Sequence, residues 1–149
     1  MREMSKWAGR TAAVFATGPS LTEQDCLACS EAGFITVGVN SAWKIAPWVD
    51  ALYCGDFRYW KANIEDIEAS GFNGKRYTRS QRAETNYGAK VIRSRLGNEY
   101  NSGQMAIEMC IRFGADRIVL LGFDASISEG THFHGDHTKT PNPTAQRVR

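Results

Sequence analysis

The sequence predicts an α/β fold, a Rossmann-like three-layer domain whose mainly parallel sheet has about five or six strands with helices on both faces. Three observations carry this. Short apolar, partly β-branched runs alternate along the chain with segments of helical spacing. One run, Ile118-Val119-Leu120-Leu121, is uninterrupted, as in a strand covered on both faces rather than half exposed. Run after run also ends in glycine or a small polar residue, the kind that lines the carboxyl edge of a parallel sheet, where ligands collect.

Met1 to Arg10 is polar apart from Trp7, and Thr11 to Ala16 then reads as a central strand. Thr17-Gly18-Pro19-Ser20-Leu21 ends it: Gly18 lets backbone approach a ligand, Pro19 fixes φ, and Ser20 brings a hydroxyl and an amide near a helix start. Thr22 with Asp25 three residues later approximates a capping box, so a helix runs from there to about Ala32. Neither G-x-G-x-x-G nor a G-K-[ST] phosphate loop is present. A second strand, Phe34 to Val39, delivers Asn40 and Ser41, and a short helical piece at Ala42 to Ile45 is ended by Pro47. A third, Ala51 to Cys54, delivers Gly55 and Asp56 ahead of a helix from Phe57 to Ser70 with apolar positions at Tyr59/Trp60, Ile64 and Ile67.

The character changes at Gly74. Lys75, Arg76, Arg79, Arg82, Lys90, Arg93 and Arg95 stand against Glu84 alone, around short strands at Arg76 to Thr78 and Lys90 to Ile92. Such a segment is either a solvated basic face or a place where phosphate or carboxylate is held. Asn101-Ser102-Gly103 opens the next helix, where Ala106, Met109, Cys110 and Phe113 share one face before Gly114 stops it. The Ile118 to Leu121 strand then delivers Gly122, Phe123 and Asp124.

Composition fits one soluble domain spanning residues 1–149: 42% hydrophobic, 23% charged, and a net charge of +2 that is too small to imply nucleic acid. No apolar run approaches a membrane span or signal-peptide core, so a cytoplasmic location is expected. Cys26, Cys29, Cys54 and Cys110 fall inside helix and strand patterns and read as reduced, buried thiols. Cys26 and Cys29 form C-x-x-C, but well inside a helix rather than at its start, where a redox pair belongs.

The late segment 126–143 reads as a lid loop, and within it His132, His134, Asp136 and His137 spell H-x-H-x-D-H. That string resembles the zinc motif of the metallo-β-lactamase superfamily. A zinc-dependent hydrolase is one implied reading, with His132, His134 and His137 as ligands. In that superfamily the motif follows a strand and needs further ligands downstream, whereas here it follows a loop and all three histidines of the chain are already used.

A second resemblance covers more of the chain. Gly18-Pro19-Ser20-Leu21, Asn40, Asp56, Ser102-Gly103 and Gly122-Phe123-Asp124, in that order, resemble the landmarks of two Rossmann-like groups: bacterial sialyltransferase-like glycosyltransferases and archaeal 6-hydroxymethylpterin diphosphokinase-like proteins. The resemblance implies a nucleotide-dependent transferase. The first form is glycosyl transfer from a CMP-sugar donor, and the second is diphosphoryl transfer from ATP with a divalent metal. It implies that Ser20, Asn40, Ser102, Gly103 and Gly122 contact the nucleotide, joining Gly18, Pro19 and Asp56 as ligand-loop residues. For catalysis it points to a base from the late histidine loop, where His132, His134 and His137 are all candidates and the spacing selects none; His132, His134 and Asp124 are the expected catalytic residues. In the ATP form Asp56 and Asp124 would hold magnesium.

Thr17 stands where the sialyltransferase pattern often has an amide side chain, and Asn142-Pro143 reads as the start of a helix cut short at Arg149. A member of these groups would add that helix and one more strand, so the expectation is a fold short of its last helix and strand. The open edge would favour a homo-oligomer. A non-catalytic nucleotide-binding module is the remaining alternative. The expected partners are a nucleotide donor and an acceptor that the residues do not identify.

Overall fold

The computed structural model describes residues 6–95 and 101–124. Six strands form one sheet: β1 (Thr11–Phe15), β2 (Ile35–Val39), β3 (Ala51–Tyr53), β4 (Lys75–Thr78), β5 (Lys90–Val91) and β6 (Arg117–Leu121). Their spatial order is β5-β4-β3-β2-β1-β6, and every pairing is parallel. Four helices connect them: α1 (Glu23–Glu31), α2 (Phe57–Ala69), α3 (Gln81–Tyr87) and α4 (Ser102–Arg112), with a 3₁₀ turn at Asn40–Lys44 after β2. The chain is thus α/β with a doubly wound parallel sheet, as its alternating pattern predicts.

Alternation along the strands divides the core in two. Ala13, Phe15, Leu52 and Cys54 face Cys26 and Cys29 of α1, Ala42 and Trp43 of the 3₁₀ turn, Trp60 and Ile67 of α2, and Ala83 of α3. Ala12, Val14, Val37 and Tyr53 face the other way, onto Met105, Ala106, Met109, Cys110 and Phe113 of α4. Each fully buried side chain of this size contributes roughly 1.5–3 kcal/mol of burial free energy. The α4 stripe is the one read from the sequence, with Met105 added to it. Trp7, from the polar leader, packs edge-on to Phe113 with ring centroids 4.8 Å apart and donates its backbone N–H to the Phe113 carbonyl at 2.7 Å. It closes the end of this second layer.

One expectation is corrected in part. Among the described residues β6 is an edge strand, with β1 on one side only, and Leu120 is 47% exposed. Val119 and Leu121 pack against one core layer and Ile118 against the other, so the run is covered in part on both faces, and Leu120 is its exposed member. Between β4 and β5, where the sequence reading assigns no element, lies α3, a seven-residue helix capped by Ser80, whose side chain accepts from Ala83 N–H, and ended by Gly88 in the left-handed region. With Ala83 as its single buried residue, it has too little apolar periodicity to announce itself.

No helix among the described residues is long and apolar enough to cross a membrane. The 126–143 lid and the helix beginning at Asn142-Pro143 lie outside the described residues, as do His132, His134 and His137.

Candidate site at the carboxyl edge

Because all six strands run the same way, their carboxyl ends share one edge. The loop residues 16–21, Asn40, Gly55-Asp56, Thr78-Arg79 and Gly122-Phe123-Asp124 all lie along it. The strand order reverses between β1 and β6. There the chain leaves β1 toward β2 on one side and arrives at β6 on the other, which opens a crevice in folds of this type.

Two glycines close the loops of that crevice onto each other. The Gly18 N–H donates to the Gly122 carbonyl at 2.6 Å, and a Cβ on Gly18 would stand 2.5 Å from that oxygen and closer still to the Asp124 carbonyl. Gly122 has φ of +73°, and a Cβ there would meet the Ala16 carbonyl at 2.6 Å. Neither position accepts a side chain. Ser20 donates both its hydroxyl and its backbone N–H to Asp124 Oδ1, the N–H at 3.3 Å. Pro19 has no N–H to give. The donors that the sequence offers to a ligand are therefore already turned toward a carboxylate of the same site.

Further along, Asn40 takes a positive φ of 50°, a left-handed conformation that Asn tolerates better than most residues. Its N–H points to the sulfur of Cys54. Burial pushes that thiol far above its ordinary range, and the Asn40 hydrogen bond offsets part of the rise. Tyr59 sits over the same end of β2, its hydroxyl 2.6 Å from Ser41 Oγ and 2.9 Å from Trp43 Nε1, which donates to it. Burial above all raises this phenol to about 12, with the Cys54 thiol adding to the rise and the two hydrogen bonds opposing it. Tyr59 is thus a neutral structural clamp between α2 and the 3₁₀ turn.

Asp56 is the N-cap of α2, accepting from Arg58 N–H at 3.0 Å. Asp56 and Asp124 follow strands separated by β2 and β1, so three spacings of ~4.8 Å, about 14 Å in all, divide the strand ends. That arrangement does not offer one magnesium ion shared by both carboxylates. Among the described residues no group of three or more His, Cys, Asp or Glu side chains is placed to hold a metal ion.

The first turn of α4 ties the middle of the edge together. Asn101 caps it, accepting from Gln104 N–H at 2.9 Å. Ser102 Oγ accepts from the Gly55 N–H at 2.9 Å, while Gly103 lies under Phe123, whose Cε2 would be 3.1 Å from a Cβ there. Ser102-Gly103 therefore reaches β3 with one residue and the loop after β6 with the next.

The basic segment divides sharply by position. Arg76 pairs with Glu68 at 3.1 Å and donates to the Tyr87 carbonyl at 2.8 Å, and Arg112 donates to the Arg93 carbonyl at 2.7 Å, so these are structural contacts. Arg79 is different: it follows β4 directly, and its Nη1 would lie 2.9 Å from a Cβ on Gly55. Sequence reasoning passed over it among the other cations, although its place after a strand is the same signal that singles out Asn40 and Asp56. Comparison with protein-family models, with curated proteins and with solved structures finds no match to this chain.

Proposed function

We propose that the chain binds a nucleotide along its carboxyl edge and acts as a nucleotide-dependent transferase, with glycosyl transfer from a nucleotide-sugar donor as the leading form. The observation that supports this most is the convergence at the reversal of strand order, where Gly18, Ser20, Gly122 and Asp124 interlock while Ser102-Gly103 reaches in from α4. Site polarity supports an orientation. Asp124 is an acceptor whose Oδ1 is held by Ser20, so it suits a group that donates, such as a ribose or acceptor hydroxyl, and would repel a phosphate. In this reading the acceptor's hydroxyl proton passes to a histidine of the 132–137 run or to Asp124, and donors along the edge stabilise charge on the departing nucleotide. Diphosphoryl transfer from ATP remains the second form, with metal held by Asp56 or Asp124 separately rather than jointly.

Isothermal titration with CMP, and with ATP plus magnesium, tests this. Binding of CMP at micromolar to millimolar Kd with release of CMP from a nucleotide sugar is the expected outcome. Binding of neither nucleotide would sink both forms, and thermal stabilisation by CMP without turnover of any donor would leave a binding module.

A further inference from the structure

We propose that Arg79 and Arg82, gathered on Gly55 and Phe57 at the end of β3, form a phosphate-binding subsite distinct from the Ser20–Asp124 end of the edge. This rests on the transferase reading for its biological role, but not for the binding itself. Several independent features converge there. Gly55 is buried and pinned from two sides, its N–H by Ser102 Oγ at 2.9 Å and its carbonyl by Thr78 Oγ1 at 3.2 Å. Its missing side chain leaves a space bounded by Arg79 Nη1, 2.9 Å from the would-be Cβ, and Ser102 Oγ, 3.2 Å from it. A guanidinium and a hydroxyl thus flank one point on a fixed piece of backbone. The Arg82 guanidinium is held 3.9 Å from the centroid of the Phe57 ring, and that ring stacks in turn on Tyr87 at 5.8 Å.

Neither Arg79 nor Arg82 has a carboxylate within 4.0 Å among the described residues, whereas Arg76, at the start of the same strand pair, does. Arg79, half-buried against Gly55, and Arg82, over Phe57, thus present two guanidinium groups that no carboxylate of the described residues pairs with, three residues apart along the chain that leaves β4. A planar fork meets phosphate oxygens in pairs, which a lone ammonium does not. A tetrahedral phosphate monoester dianion is the ligand this geometry takes. It belongs either to the CMP that leaves when the donor's glycosyl bond breaks, the intact donor carrying a phosphodiester monoanion, or to a separately phosphorylated acceptor. The opposite polarity of the two ends, carboxylate beside β6 and guanidinium beside β3 and β4, would draw a phosphate toward β3 and leave Asp124 to a separate hydroxyl such as the acceptor's.

The test uses the full chain, with backbone amide and arginine side-chain resonances followed during titration with inorganic phosphate, CMP and cytidine. Phosphate and CMP are expected to shift Gly55, Arg79 and Ser102, and cytidine is not. Arg79→Met should weaken phosphate binding at least tenfold with the thermal midpoint unchanged. Arg79→Lys should recover part of the affinity, and Gly55→Ala, whose methyl displaces the guanidinium, should weaken it as well. Lys75→Met removes the same charge at the opposite edge of the sheet and should leave binding as it was. Shifts by phosphate and a simple sugar phosphate but not by CMP would assign the subsite to a phosphorylated acceptor and reject the nucleotide reading alone. CMP binding that Arg79→Met leaves intact would reject the subsite alone. Phosphate shifts absent from Gly55, Arg79 and Ser102 would also overturn it.

Discussion

Replacing Gly18 by alanine would drive a methyl group into the carbonyls of Gly122 and Asp124, and those atoms are backbone, so neither can swing aside. The expected cost is about 1–3 kcal/mol, in the range of an overpacked core, together with loss of nucleotide binding as the two loops part. A Gly18→Ala protein with an unchanged thermal midpoint would mean the loops are not interlocked. The sequence marks Gly18, Ser20, Gly122 and Asp124 as edge residues because each follows a strand. It does not reveal that they satisfy one another. That depends on β1 and β6 being neighbours, and a parallel pairing between strands so distant in the chain leaves no local trace. Arg79 was hidden for the opposite reason, since six other cations near it made a single position look ordinary.

Helix caps account for much of what was legible at the level of elements. Thr22 does cap α1 through Asp25 N–H, as the capping-box spacing predicts, and Asn101 caps α4 one residue before its predicted partners Ser102 and Gly103. Asp56 shows how a cap and a ligand compete as explanations. Asp56→Ala should cost about 1 kcal/mol in urea unfolding, while Asp56→Ser, which can still accept from the helix, should cost only a few tenths. If Asp56 acts as a cap alone, the serine variant will also keep full affinity for ATP with magnesium. A selective loss of that affinity would restore its role as a metal ligand. The short α3 and the exposed flank of β6 escaped prediction because both depend on neighbours: one on Phe57 and Arg82 stacking across from α2, the other on its position at the margin of the sheet.

Over the whole molecule, burial makes the folded state resist losing protons. Burial pushes the Cys26 and Cys110 thiols from an ordinary 9.0 up to about 12, and Tyr59 from 10.0 to about 12, while Cys54 and Cys29 move in the same direction. A raised folded pKa contributes stability that is fully present below the unfolded value and is lost as pH rises through the folded one. Urea midpoints should therefore hold up to about pH 9 and fall steadily toward pH 12, and a thiol reagent should find all four cysteines slow in the native state and fast in urea. A midpoint that stayed flat from pH 8 to 11 would contradict this burial. The chain order of the sheet bears on time as well as on energy. β1 finds β2 within its first few dozen residues, but its other flank waits for β6, and the Ser20–Asp124 contact joins residues 104 apart. A chain emerging from the ribosome thus carries β1 with one backbone edge unpaired until β6 has followed it. The two walls of the crevice are among the first and last pieces of the described fold to be made, so every copy must complete the sheet before it owns a binding site.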